Sequence, residues 1–164
     1  MKADSLALLT EQGSLTDLMQ QLMGQTPTLK CLTQGKGHAD RIESQILSIR
    51  PRKFAHIREI TMGKGQQDWL FARTVIPIST LKGQAKRLAK LNNQPLGRVL
   101  FGQINAQRKR MWLDIVFADE VGLSDFDIAE DFPLWQRRSI FQIASGPLLI
   151  SEIFLPDCPV YESQ

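Results

Sequence analysis

Hydrophobic positions along the chain change period more than once. From Ser14 onward, Leu15, Leu18, Met19, Leu22 and Met23 recur with helical spacing, with Ser14 as N-cap and Gly24 as stop. The pattern then shortens into strand-like runs separated by turn residues. Residues 26–33 lead to a turn at Gln34-Gly35-Lys36-Gly37, and 41–48 lead to Arg50-Pro51. Residues 54–61 run into Gly63-Lys64-Gly65, and 69–76 close at Pro77. Helical character returns from Ser79, where Leu81, Ala85 and Leu88 oppose Lys82, Lys86 and Lys90, and again over 95–101. Three more strands are expected at 111–118, 138–144 and 148–155, the last two forming a hairpin around Ser145-Gly146-Pro147. Residues 106–110 and 119–131 are polar or acidic and read as surface loops.

Strands clustered together, with helices set apart from them, predict an α+β fold with a largely antiparallel sheet and helices over one face. No repeat, low-complexity tract or boundary divides residues 1–164, so one domain is expected.

One residue breaks the apolar pattern with chemical consequence. In Leu148-Leu149-Ile150-Ser151-Glu152-Ile153-Phe154-Leu155-Pro156, strand alternation points Glu152 the same way as Leu148, Ile150 and Phe154. A carboxylate on an apolar face is costly unless a cation or donor meets it. Two other strands carry a similar anomaly: Arg58 shares a face with Phe54, His56 and Ile60, and Arg73 with Trp69, Phe71 and Val75. If the three faces converge, they enclose two guanidiniums and one carboxylate. A self-satisfied Arg–Glu pair would account for one arginine; the surplus cation points to an anionic ligand, since the guanidinium fork fits a carboxylate.

Composition narrows the class without changing this picture. Hydrophobic residues make up 43% and charged residues 23%, as in soluble globular proteins. The longest apolar runs are too short to span a bilayer, so no stable membrane insertion is expected. Met1-Lys2-Ala3-Asp4-Ser5 has an acid and no long apolar segment after it, so no secretory signal is expected. Cys31 and Cys158 lack CxxC spacing and read as free thiols in a reducing cytoplasm. A net charge of +3 and a pI near 9.0 favour anionic partners, but the lysines at 82, 86 and 90 read as a solvated helix face rather than a nucleic-acid stripe. Gly63-Lys64-Gly65 lacks phosphate-loop spacing, and His38, His56 and the cysteines form no metal-ligand pattern. His56 has no nucleophile elbow beside it and reads as a core or lining histidine.

The residues also carry a family resemblance. Gly13-Ser14-Leu15-Thr16, Arg58-Glu59-Ile60, the run from Trp69 to Leu81 and Pro95-Leu96-Gly97-Arg98 with Leu100-Phe101 are similar to chorismate pyruvate-lyases. So are Leu134-Trp135-Gln136-Arg137-Arg138-Ser139 and the closing run from Pro147 to Pro156. The blocks fall in order over nearly the whole chain. The resemblance implies a six-stranded antiparallel sheet with helices on one side and a ligand enclosed beneath flaps. It implies a monomeric enzyme, without metal or cofactor, that takes chorismate to 4-hydroxybenzoate and pyruvate for ubiquinone biosynthesis. By motif, Arg58 is expected to bind the ring carboxylate and Glu152 to face the 4-hydroxyl end. Leu96 is expected to offer a backbone group, Leu15 to line the pocket, and Arg73 to serve a second carboxylate or an access route. Against the family resemblance, the stretch from Gln103 to Pro133 reads as longer than usual. The alternative is a non-catalytic small-aromatic-acid sensor of the same fold; such sensors follow a DNA-binding domain, and only about a dozen residues precede the first block, far below domain size.

Overall fold

A computed structural model describes residues 2–162. Its frame is one six-stranded, wholly antiparallel sheet in the order β1-β2-β3-β6-β5-β4. The strands are β1 (Thr28–His38), β2 (Phe54–Lys64), β3 (Gln67–Pro77), β4 (Gln107–Val116), β5 (Leu134–Ile143) and β6 (Gly146–Phe154). Helices α1 (Ala3–Thr10) and α2 (Leu15–Met23) precede the sheet, and α3 (Arg41–Leu47) lies between β1 and β2.

Helix α2 forms as its caps dictate. The Ser14 side chain accepts from Asp17 N–H, Gly24 takes the left-handed conformation, and Leu15, Met19 and Met23 bury one stripe. That stripe packs with α1 against Ile60, Met62, Leu70, Ala72 and Phe154 on the first face of the sheet. A second cluster on the same face joins Ile76, Phe141, Leu148 and Ile150 to Ala85, Leu88 and Leu100 from the segments between β3 and β4. Those segments are a 3-10 stretch at Gly83–Lys90 and a π-helical turn at Arg98–Gln103 rather than α-helices. Lys82, Lys86 and Lys90 are exposed there, as the amphipathic pattern predicts.

Further expectations are corrected: residues 107–110, read as a surface loop, are the start of β4. The stretch expected as a strand at 41–48 is α3 (Arg41–Leu47) with Ser48 as its C-cap, because Asp40 and Glu43 make a reciprocal capping box with bonds of 2.7 and 2.8 Å. The expected turn at 34–37 is continuous β1, in which Gly37 permits close approach: a Cβ there would come within 2.9 Å of Ile57. Residues 119–131 are more than a polar loop, since Leu123, Phe126 and Ile128, with the adjoining Phe132, pack with Phe71, Leu134, Ile153 and Leu155. This segment and α3 cover the second face, while the expected helical layer covers the first.

Candidate active site

The first-face clusters leave a cavity between the sheet, the α1–α2 linker at residues 13–16 and the turn at 96–101. Its atom-free space, open mouth included, is about 620 Å³. The walls are mostly apolar, but four charged side chains reach it: Arg58, Arg108, Arg137 and Glu152.

Arg58 forms one charged end. It is 2% exposed, and its Nη2 donates to the carbonyls of Asn92 (3.0 Å) and Gln94 (2.7 Å). Those carbonyls are fixed from outside the cavity. The Gln34 side chain donates to Asn92 Oδ1 (3.0 Å) and accepts from Asn92 N–H (2.9 Å), while Asn93 Oδ1 accepts from Cys31 N–H (3.0 Å). No carboxylate lies within salt-bridge distance of Arg58 among the described residues, and its Nε is buried without a partner. Burial lowers its pKa from the ordinary arginine value, with Cys31 acting the other way.

At the other end stand Glu152 and its partner. Hairpin register sets Arg137 of β5 opposite Glu152 of β6, and both are buried. Arg137 Nε donates to Glu152 Oε2 at 2.7 Å, and its Nη2 lies 2.6 Å from the same oxygen as an ion pair. Its Nη1 donates to the carbonyl of Glu11 at 2.7 Å, just past α1. Glu152 Oε1 receives no hydrogen bond among the described residues. Glu152 is therefore held from one side and left open on the other.

Arg108 of β4 is the third cation. A bulge between Arg108 and Arg110 shifts the register and leaves Arg108 opposite Phe141, whose ring lies 4.8 Å from the guanidinium. Its Nη1 donates to the carbonyls of Gln12 and Glu11, while Nε is buried and unpartnered. Burial and then the charge of Arg137 lower its pKa, with Glu152 and Glu11 acting the other way.

Four of the five residues singled out by sequence meet here: Arg58, Glu152, Leu96 and Leu15 all line the cavity. Leu96 opens the helical turn, where a first-turn N–H lacks an intrahelical acceptor. Arg73 does not join them. Register places Arg58 opposite Thr74 and Glu152 opposite Ala72, so Thr74 and Ala72 face the cavity and Arg73 points to the second face. There it binds Glu43 through Nε (2.8 Å) and Nη2 (3.0 Å), and Nη1 lies 3.4 Å from Glu59. Burial pulls its pKa down, but those carboxylates and Asp40 more than offset this and hold it above the ordinary value. The cations that sequence reasoning missed are Arg137 and Arg108. Counting back through the hairpin, with Ala144 and Ser145 as its loop, would have set Arg137 opposite Glu152; no local signal marks Arg108.

A sheet of this order is a fold that domains of transcriptional regulators share. The effector domain of PhnF from Mycobacterium smegmatis matches it with TM-score 0.62 at 12% identity, over 88% of this chain and 90% of that one. The ligand-binding domain of a putative GntR-family transcriptional regulator from Bordetella bronchiseptica matches with TM-score 0.58 at 15% identity, over 84% and 89%. At such identities the likeness is one of fold alone. Sequence is more specific: the profile of the chorismate lyase family matches residues 3–164. A probable chorismate pyruvate-lyase of Methylococcus capsulatus is 34% identical over 89% of this chain and 91% of its own length. A chorismate pyruvate-lyase of Escherichia coli is 32% identical over 92% and 81%. The chain belongs to the chorismate lyase family.

Proposed function

We propose that this protein is a chorismate pyruvate-lyase, converting chorismate to 4-hydroxybenzoate and pyruvate as a supply for ubiquinone biosynthesis. The observation that carries the reading is the charge pattern of one apolar cavity in a member of this family: at one end an arginine with no acid partner among the described residues, at the other an arginine-held carboxylate.

In this reading Arg58 takes the ring carboxylate. Its position is set by the Asn92 and Gln94 carbonyls, so the anion meets a fixed fork rather than a mobile chain. Glu152 faces the hydroxyl end of the ring through Oε1, Leu96 offers its backbone N–H, and Leu15 supplies apolar wall. The reaction breaks the bond between the ring and the ether oxygen. The hydrogen on the hydroxyl-bearing ring carbon is lost, and the ring becomes aromatic. The departing enol ends as pyruvate after gaining a proton on its methylene carbon, so atoms balance without a redox partner or cofactor. Aromatisation drives the step, and the protein's share is to hold the reactive conformer and stabilise charge at the leaving oxygen. Glu152 either relays the proton or orients the hydroxyl while it moves within the substrate.

The linker at 13–16 and the turn at 96–101 would close over the ligand as flaps. We further take residues 1–164 as one lyase domain that works as a monomer in the cytoplasm. Among the described residues no helix is long and apolar enough to cross a membrane. The test is direct: chorismate mixed with the protein should yield 4-hydroxybenzoate and pyruvate in equal amounts. Saturable binding of 4-hydroxybenzoate with no product would instead make it a sensor.

A further inference from the structure

Chorismate brings two carboxylates into a cavity where only one has been given a partner. We propose that Arg108 binds the carboxylate of the enolpyruvyl arm. This assignment rests on the lyase reading and deepens it.

Three arginines reach the cavity, and they differ in what they already hold. Arg137 is spent on Glu152 and on the Glu11 carbonyl. Arg58 lies at the far end, bound to the carbonyls of Asn92 and Gln94. Arg108 is the remaining cation, and among the described residues no carboxylate lies within salt-bridge distance of it. Its two hydrogen bonds both leave from Nη1. Among the described residues the other side of the guanidinium, Nε with Nη2, makes none, and that side-on pair is a geometry that can hold a carboxylate bidentately. The guanidinium lies over the Phe141 ring, 4.8 Å from its centroid.

The position agrees with the substrate's shape. The ring carboxylate and the hydroxyl sit at opposite ends of the ring, and the ether arm leaves from the carbon next to the hydroxyl. A ring held between Arg58 and Glu152 must therefore place its arm beside Glu152. Arg108 is at that end: its Nη1 and the Nη1 of Arg137 both donate to the carbonyl of Glu11. Arg73, the residue first expected to take a second carboxylate, is on the far side of the sheet with two acids of its own.

This role separates from a structural one because the product lacks the arm. An Arg108 that merely clamps the Glu11–Gln12 linker would matter equally to substrate and product. The experiment measures kcat/KM for chorismate and Kd for 4-hydroxybenzoate in the wild type, Arg108→Met and Arg108→Lys. In Arg108→Met, kcat/KM should fall at least ~30-fold, the scale for losing one partner of a buried charge pair. Its affinity for 4-hydroxybenzoate should stay that of the wild type, and Arg108→Lys should recover part of the loss. Parallel weakening of substrate and product would make Arg108 a linker clamp and overturn the assignment. Unchanged kcat/KM would place the arm carboxylate elsewhere and also overturn it. A wild type that releases no pyruvate would overturn the lyase reading itself, and this assignment with it.

Discussion

Arg137 and Glu152 face each other across the β5–β6 hairpin and meet twice at one oxygen, Oε2, at 2.7 and 2.6 Å. Because Arg137 is 1% exposed, removing either partner strands a charge with little water to receive it. Arg137→Met should therefore cost about 3–5 kcal/mol of stability, the range for breaking one side of a buried pair. Replacing both partners together should cost less than the sum of the single changes, because the second removes the charge that the first strands. Denaturant unfolding of the three variants checks this, and strict additivity would show that the two residues are not coupled.

Arg58 should control product as well as substrate, since both carry the ring carboxylate. Arg58→Met should weaken 4-hydroxybenzoate binding by at least ~30-fold, as titration calorimetry would read it. Arg58→Lys should restore little, because the two carbonyls and the ligand are matched to a planar fork rather than a point charge. Full recovery by lysine would mean that only the charge matters.

Part of this site was legible before any coordinates. Glu152 and Arg58 stood out because a charge among alternating apolar residues is costly, and that cost is a local signal. Strand alternation also grouped Arg73 correctly with Phe71 in β3, yet it cannot tell which face one strand shares with the next. That depends on register: once Arg58 is opposite Thr74, Arg73 must point away. Arg137 was hidden because the strand was expected to begin at residue 138, whereas β5 starts at Leu134. Arg108 reaches the cavity through its pairing with Phe141 beside a bulge, which no spacing announces. The fold followed the same rule. Helix α2 and the β2–β3 hairpin carry their own caps, alternation and turn glycine. Helix α3, of seven residues, is too short for periodicity to outweigh a strand-like composition, and its capping box was the stronger clue.

Protonation of His56 should set part of the acid sensitivity. It is 5% exposed, and burial followed by the charge of Arg58 keeps its pKa below the usual 6.5. Below that value the unfolded chain binds a proton that the folded chain refuses. The contribution is thus complete above 6.5 and lost as pH falls toward the lowered folded pKa. Thermal unfolding should show Tm dropping over that window, with a shallower slope in His56→Gln. An identical slope in the variant would assign the acid sensitivity to other groups.

The two thiols should behave differently. Cys158 is 1% exposed and burial pushes its pKa to about 12, whereas Cys31 is only half-buried. Iodoacetamide at mildly alkaline pH should label Cys31 alone in the folded protein and both after denaturation, as intact mass would record. Labelling of Cys158 without denaturant would mean that the C-terminal turn opens readily.

The reciprocal bonds between Gln34 and Asn92 give the anion site an unusual dependency. The carbonyls that aim Arg58 are steadied by β1, the outermost strand of the sheet on that side, and none of Gln34, Asn92 or Asn93 belongs to the cavity wall. If Arg58 takes the ring carboxylate as proposed, its grip should therefore be adjustable by residues outside the cavity wall. A lineage, or an engineer, could retune how long the product is retained by editing this outer brace, leaving every group that meets the reacting atoms as it is.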